Sequence, residues 1–265
     1  MAHAVTFGQR TATMFYPPQA YSTTTMTEEA KPVRFKMKPD YRLAGAMQRV
    51  FIFEFGALDV HRQSVNASFV REIADAKRRW DALPDDTDDD SAESYAEELA
   101  LAIDLLPRLQ WSAQFVLVFA TFEDMLIKLC KMGHARLPSG KPLGKIWTTG
   151  MNGAKEFLKQ IDGAGVIFGG QDWECAVDFQ KLRNAIVHNG GRIDLEQTPD
   201  LSSVLKRFEK GAWPGVSIYR AYTGGRGGEE ALPEAVLTSD FVEFVIEALE
   251  KLVREIADLK LPTPI

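Results

Sequence analysis

Apolar side chains recur every three or four residues along much of the chain, which is the spacing of an α-helix. From about Tyr41 to Leu83 this spacing runs without a proline, and it predicts one long helix or two helices joined near Gly56. The more apolar stretch from Tyr95 to about Lys131 predicts a largely buried helix, with Pro107 as a candidate kink. Helices therefore dominate the first half of the chain.

The second half predicts shorter elements. We expect helices over Trp147–Ile161, Gln171–His188, Leu201–Lys210 and Phe241–Leu259, and an extended segment over Val216–Tyr222. Asn189-Gly190-Gly191 is typical of a helix C-cap in which glycine adopts the left-handed backbone conformation. The predicted fold class is all-α, a helical bundle with a small extended or β insertion near residues 215–222.

Proline, glycine and acidic runs mark the expected boundaries. Residues 1–40 are predicted to be a disordered leader, 41–90 an N-terminal helical extension packed on the core, and 91–265 the main helical domain. Pro84 and the acidic run after it should end the first helix, and Ser91 is expected to cap the next one. Glycine-rich or flexible connections are expected at Leu137–Gly144, Gly163–Gly170 and Thr223–Gly228.

Composition excludes several classes of protein. The 265 residues carry a net charge of -6, so any nucleic-acid contact must be local. Two cysteines provide no disulfide framework, and the N-terminus has no secretory signal pattern, which favours a cytoplasmic protein. The longest apolar run, Phe115 to Phe122, is far shorter than the roughly 20 residues that span a bilayer, so no membrane partner is expected.

The candidate chemistry lies at the end of the Gln171–His188 helix, where Arg183 and His188 are five residues apart. Cleavage of RNA without a metal needs a proton acceptor, a proton donor and a cation for the phosphate charge. Histidine serves as acid or base and guanidinium binds phosphate oxygens in a bidentate manner. Five residues correspond to about 140° around a helix, so both side chains reach one phosphate more easily when a second copy of the helix contributes.

The string Leu182-Arg-Asn-Ala-Ile-Val-His-Asn189 resembles the R-x4-6-H motif of HEPN-domain proteins. That resemblance implies an all-α bundle and, for many members, a dimeric, metal-independent endoribonuclease of toxin-antitoxin, abortive-infection or other anti-phage systems. It assigns catalysis to Arg183 and His188, with Asn184 as the polar residue after the arginine. It covers roughly Trp111 to Leu252, and the segment Phe119–Lys128 is similar to an earlier family helix that carries an acidic residue, here Glu123.

The resemblance implies an endoribonuclease that cleaves single-stranded RNA, works as a homodimer and needs no cofactor. A toxic nuclease needs restraint, either by an antitoxin or regulatory partner or by the N-terminal helices covering the groove. Two alternatives stay open: a non-catalytic RNA-binding, nucleotide-binding or regulatory module, and a structural helical interaction protein. In the last case His188 only interacts with the helix dipole and Arg183 only covers apolar surface.

Other polar residues have simpler interpretations. Glu123 is a candidate partner for the Arg183 guanidinium, or else part of a solvated helix face, and Asp178 is expected on the surface. A zinc set of Cys130, His134 and Cys175 lacks the usual paired spacing. Calcium-loop spacing at Asp86, Asp88, Asp90 and Glu97 lacks the turn glycine, since Ser91 occupies that position, so no metal is expected.

Overall fold

The computed structural model describes residues 43, 48–84, 87–136, 146–192, 199–219 and 234–260, all of which belong to one unit, Pro39–Ile265. The helices are α1 (Gln48–Asp81), α2 (Asp89–Ala100), a π-helical turn (Leu101–Leu105), α3 (Leu106–Arg136), α4 (Ile146–Leu158), α5 (Ala164–Phe168), α6 (Gln171–Asn189), α7 (Leu201–Glu209) and α8 (Ser239–Ala257). The strands are β1 (Val216–Tyr219) and β2 (Glu234–Leu237). The fold is all-α with a small β insertion, as predicted.

Several predictions concern residues that the structure does not describe. The leader at 1–40 and the connections at 137–144 and 223–228 lie outside the described residues. None of the helices in the described ranges combines the length and the apolar character needed to cross a lipid bilayer.

Helix α3 lies at the centre of the core. Phe115, Phe119 and Phe122 are fully buried on it, and Phe115 contacts Phe241 of α8 and Phe179 of α6 with ring centroids 5.3 and 6.4 Å apart. Helix α8 is amphipathic and turns one apolar face toward this aromatic cluster. The rings of α3, α6 and α8 therefore fix the position of α6, which carries the candidate motif.

Helix α1 is one continuous helix through Gly56, and it shares the same core. Phe51 and Phe55 are buried in that core, and the buried Arg62 donates a hydrogen bond to Ser239 Oγ of α8 at 2.8 Å. The side chain of Arg62 also pairs with Asp59 and Glu243. Among the described residues, α1 and the later helices share one hydrophobic core, and the division between 41–90 and 91–265 stays a prediction.

The start of α2 corrects the predicted cap. Asp88, not Ser91, is the N-cap, and its carboxylate accepts hydrogen bonds from the Ser91 backbone N–H and hydroxyl, both at 2.8 Å. These two donors lower the pKa of the Asp88 carboxyl. Aspartate and serine are both favoured at the N-cap. Because Asp88 occupies that position, Ser91, three residues later, lies in the first turn of α2.

Between α2 and α3 the helical hydrogen-bond register changes through the π-helical turn. This turn ends two residues before Pro107, the predicted site of a kink. Proline has no N–H and its ring clashes with the carbonyl four residues earlier, so a wider turn before it relieves both problems.

Two short elements differ from prediction. Gly163–Gly170 was expected to be a turn, but Ala164–Phe168 forms the short helix α5, because its apolar residues Ala164 and Phe168 are buried. Strand β2 was not predicted, since four residues are too few to establish an alternating pattern. It pairs antiparallel with β1, with Val216 opposite Leu237 and Tyr219 opposite Glu234.

Candidate functional site

The end of α6 is fixed by two glycines in the left-handed region. Gly190 and Gly191 have φ of 61° and 84°, and the N–H of Gly191 donates to Ala185 O at 3.2 Å. The carbonyl of Gly191 accepts from Ala235 N of β2 at 3.0 Å. The predicted C-cap is confirmed, and the β insertion holds the last turn of α6, which carries His188.

An open groove of about 350 Å³ lies beside this last turn. Helix α6 contributes Lys181, Asn184, Ala185, His188 and Asn189 to its lining. The start of α7 and the two residues before it contribute Pro199, Asp200 and Leu201. Asn184 and His188 are exposed and lie one helical turn apart, so both side chains face the groove. The lining of the groove mixes polar side chains with the apolar residues Ala185, Pro199 and Leu201.

Arg183 lies on another side of α6. Its guanidinium donates to Glu123 Oε2 of α3 at 2.5 Å and lies 5.3 Å from the centroid of the Phe119 ring. Both charged side chains are about one-fifth exposed, at 22% and 23%. The structure thus brings together Arg183 and Glu123, the pair considered from the sequence, and the aromatic face adds a cation–π contact.

The two motif residues do not share one surface within a single chain. His188 and Asn184 line the groove, whereas Arg183 is not among its lining residues. Because α6 is continuous from Gln171 to Asn189, the angle of about 140° expected from helix geometry applies without correction. A site that uses both Arg183 and His188 on one phosphate therefore needs a rearrangement or a second copy.

A buried carboxylate next to the groove corrects one prediction. Asp178 was expected on the surface, but its side chain is only 6% exposed, because it faces α7. It accepts from Arg207 Nε at 2.6 Å, from Lys181 Nζ at 3.1 Å and from Ser203 Oγ at 3.2 Å. This network joins α6 to α7. The sequence contains an indication that Asp178 is buried, because Asp178 precedes the buried Leu182 by four residues and therefore lies on the same face of α6.

The Glu123 carboxylate also lies near a break in α4. Gly150 has φ 54° and ψ −133° inside that helix, and a Cβ on Gly150 would lie 3.7 Å from Glu123 Oε1. The backbone of α4 thus passes the Arg183–Glu123 pair in a conformation that side chains other than glycine rarely adopt.

We expect Gly150→Ala to lower the free energy of unfolding by about 1–3 kcal/mol, because alanine is strained in that conformation. The matched control is Gly56→Ala in α1, where a Cβ would meet nothing within 4 Å. That control should raise stability by about 0.5–1 kcal/mol, since alanine favours a helix interior. Urea unfolding of both variants measures the difference, and equal stabilities would contradict the assigned strain.

Burial raises the pKa of both cysteine thiols. Burial raises the pKa of Cys130 to about 12, and its thiol lies 3.8 Å from Ala154 O. Burial likewise raises the pKa of Cys175 to about 11. In the described part of the chain, no three His, Cys, Asp or Glu side chains are grouped closely enough to bind a metal. Asp90 and Glu97 of the calcium-loop spacing lie within α2 and not in a loop, and Asp86 lies outside the described residues.

The described residues define a helical protein with an open groove at the end of α6, lined by Asn184 and His188, and a charged pair on another side of that helix. Comparison of the chain with protein-family models, curated proteins and solved structures found no match.

Proposed function

We propose that the protein is a metal-independent endoribonuclease that cleaves single-stranded RNA in the cytoplasm, and that it resembles the HEPN toxins and anti-phage effectors. The observation that carries the proposal is that His188 and Asn184 line one groove at the end of α6. The same helix carries Arg183, which forms an ion pair with Glu123 of α3. His188 is the proposed general acid/base, Arg183 the cation that stabilises the transition state, and Asn184 a positioning group.

The proposed reaction is a transesterification. The 2′-hydroxyl of one ribose loses its proton to the imidazole and its oxygen attacks the adjacent phosphorus. The bond from phosphorus to the 5′-oxygen breaks, and that oxygen takes up a proton from an imidazolium. The products are a 2′,3′-cyclic phosphate, which water can open, and a 5′-hydroxyl. The guanidinium stabilises the extra negative charge on the phosphate oxygens, so no cofactor is needed for this chemistry.

A homodimer would supply what one chain lacks, an arginine and a histidine that reach the same phosphate. Three leucines, Leu106, Leu109 and Leu117, are exposed along one side of α3 at helical spacing, and Val187 is exposed on α6 one turn after Arg183. Exposed apolar surface at helical spacing is typical of a protein interface. A two-fold contact through this surface would bring a second Arg183 and a second His188 close to the first pair.

We expect Leu117→Glu to shift this dimer toward monomer and to lower RNA cleavage by at least tenfold, because a charge would be buried in an apolar contact. Light scattering after gel filtration measures the mass, and Val60→Glu on the exposed face of α1 is the control. A dimer that survives Leu117→Glu unchanged would refute this interface.

The proposal is tested by incubating the full chain with a single-stranded RNA and with the DNA of the same sequence in EDTA. Cleavage of RNA alone supports the proposed attack by a 2′-hydroxyl, and an RNA with one 2′-deoxy position should resist cleavage at that position only. Equal cleavage of RNA and DNA would exclude this mechanism.

One observation favours a second candidate, a non-catalytic RNA-binding, nucleotide-binding or regulatory module. Arg183 is engaged by Glu123 and does not line the groove with His188. RNA binding that persists in His188→Ala, without cleavage by either protein, would select this candidate. For either candidate, an antitoxin or other partner protein remains part of the proposal.

A further inference from the structure

We propose that Lys181 binds an RNA phosphate in the groove and that Asp178 and Ser203 hold its ammonium group in place for this contact. The inference deepens the proposed function and rests on it. Lys181 lies outside the Arg-Asn-Ala-Ile-Val-His string, and it is the cationic side chain that lines the groove among the described residues.

The geometry of the ammonium group leaves it free to contact an anion. Its Nζ donates to Asp178 Oδ1 and to Ser203 Oγ, both at 3.1 Å. A lysine ammonium has three N–H groups, so these two contacts fix its direction and leave a third donor for a phosphate oxygen. The Lys181 side chain is 30% exposed, whereas the Asp178 side chain is 6% exposed. The pair therefore has a buried anchor and an accessible cation.

The charges around Asp178 show why Lys181 is not simply its neutralising partner. Arg207 already pairs with the other carboxylate oxygen, Oδ2, at 2.6 Å. One carboxylate thus faces two cations, and of these two only Lys181 lines the groove in the described part of the chain. A second carboxylate, Glu174, is 4.0 Å from Arg207 and mostly exposed, so water screens it. Asp200 also lines the groove, and its carboxylate opposes the binding of an anion there, so a phosphate in the groove needs a cation such as Lys181.

The position of Lys181 assigns it to binding more than to the chemical step. Lys181 precedes His188 by seven residues, which is two turns or about 10 Å along the helix axis on the same face. A phosphate at Lys181 is therefore a neighbour of the phosphate that reacts at His188. Such a contact aligns the RNA strand along the groove, with Asn184 between Lys181 and His188.

The experiment compares the full-length wild type with Lys181→Gln, using a fluorescent single-stranded RNA oligonucleotide at several salt concentrations. The expected result for Lys181→Gln is an affinity lower by about tenfold at low salt and a salt slope smaller by about 0.7, the loss of one phosphate contact on a single strand. In cleavage assays KM should rise more than kcat falls, and Lys181→Arg should restore most of the affinity.

Lys206→Gln is the matched control, since Lys206 is an exposed cation on α7 that does not line the groove. Its affinity and salt slope should equal those of the wild type. If Lys181→Gln also equals the wild type while the wild type binds and cleaves RNA, the inference is overturned and the proposed function stands. If the wild type neither binds nor cleaves RNA, the proposed function fails, and the inference with it. Weaker binding with an unchanged salt slope would also overturn it, because that pattern indicates a distorted groove.

Discussion

Replacing His188 with alanine should lower the rate of RNA cleavage by about 10³-fold, within the range of 10² to 10⁴ that general acid–base catalysis contributes. The side chain is exposed in the last turn of α6, so little packing is lost. The free energy of unfolding should change by less than about 1 kcal/mol, the usual size of a favourable interaction with the helix C-terminus. Single-turnover cleavage assays and urea unfolding separate these two effects.

The control for this prediction is His61→Ala, which removes an exposed imidazole from α1. It should leave both cleavage and stability unchanged. A His188→Ala protein that cleaves RNA at the wild-type rate would eliminate His188 as the acid/base, and a loss of activity that matches a loss of folding would assign it a structural role.

Replacing Asp178 with alanine should lower the free energy of unfolding by about 3 kcal/mol, because removal of one partner of a buried ion pair leaves the other charges uncompensated. Arg207 and Lys181 would both lose an acceptor, and Ser203 would lose one as well. Since the network joins α6 to α7, RNA affinity should fall together with stability. Equilibrium unfolding in urea measures the first effect and oligonucleotide binding the second.

Asp172→Ala is the matched control on the same helix. Asp172 accepts from Lys251 at 2.7 Å, but their side chains are 43% and 62% exposed. Ion pairs this exposed contribute about 0–1 kcal/mol, so this variant should remain close to the wild type. Equal losses for Asp172→Ala and Asp178→Ala would show that the Asp178 network adds nothing beyond a surface ion pair.

Local sequence signals predicted the parts of the fold that local physics decides. Gly190 and Gly191 end α6 as expected, because only glycine enters the left-handed region without strain. The apolar spacing of α8 likewise predicted both its existence and its amphipathic character. The predicted N-cap of α2 was wrong because Asp88 and Ser91, three residues apart, are both residue types favoured at an N-cap. The sequence does not distinguish between them.

Contacts between distant segments were harder to predict. The Glu123–Arg183 contact was considered because the resemblance supplied both residues, which are 60 positions apart. Asp178 and Arg207 are 29 positions apart and belong to no motif, so Asp178 was misplaced on the surface. Helix periodicity did predict that Arg183 and His188 point to different sides, since five residues do not make a whole number of turns.

In the proposed mechanism His188 supports attack of a ribose 2′-hydroxyl on its own phosphodiester. The most direct test is incubation of wild type and His188→Ala with end-labelled single-stranded RNA in EDTA, followed by mass analysis of the product ends. We expect 2′,3′-cyclic phosphate and 5′-hydroxyl ends from the wild type alone. Intact RNA in both samples, or 3′-hydroxyl and 5′-phosphate ends, would contradict this mechanism.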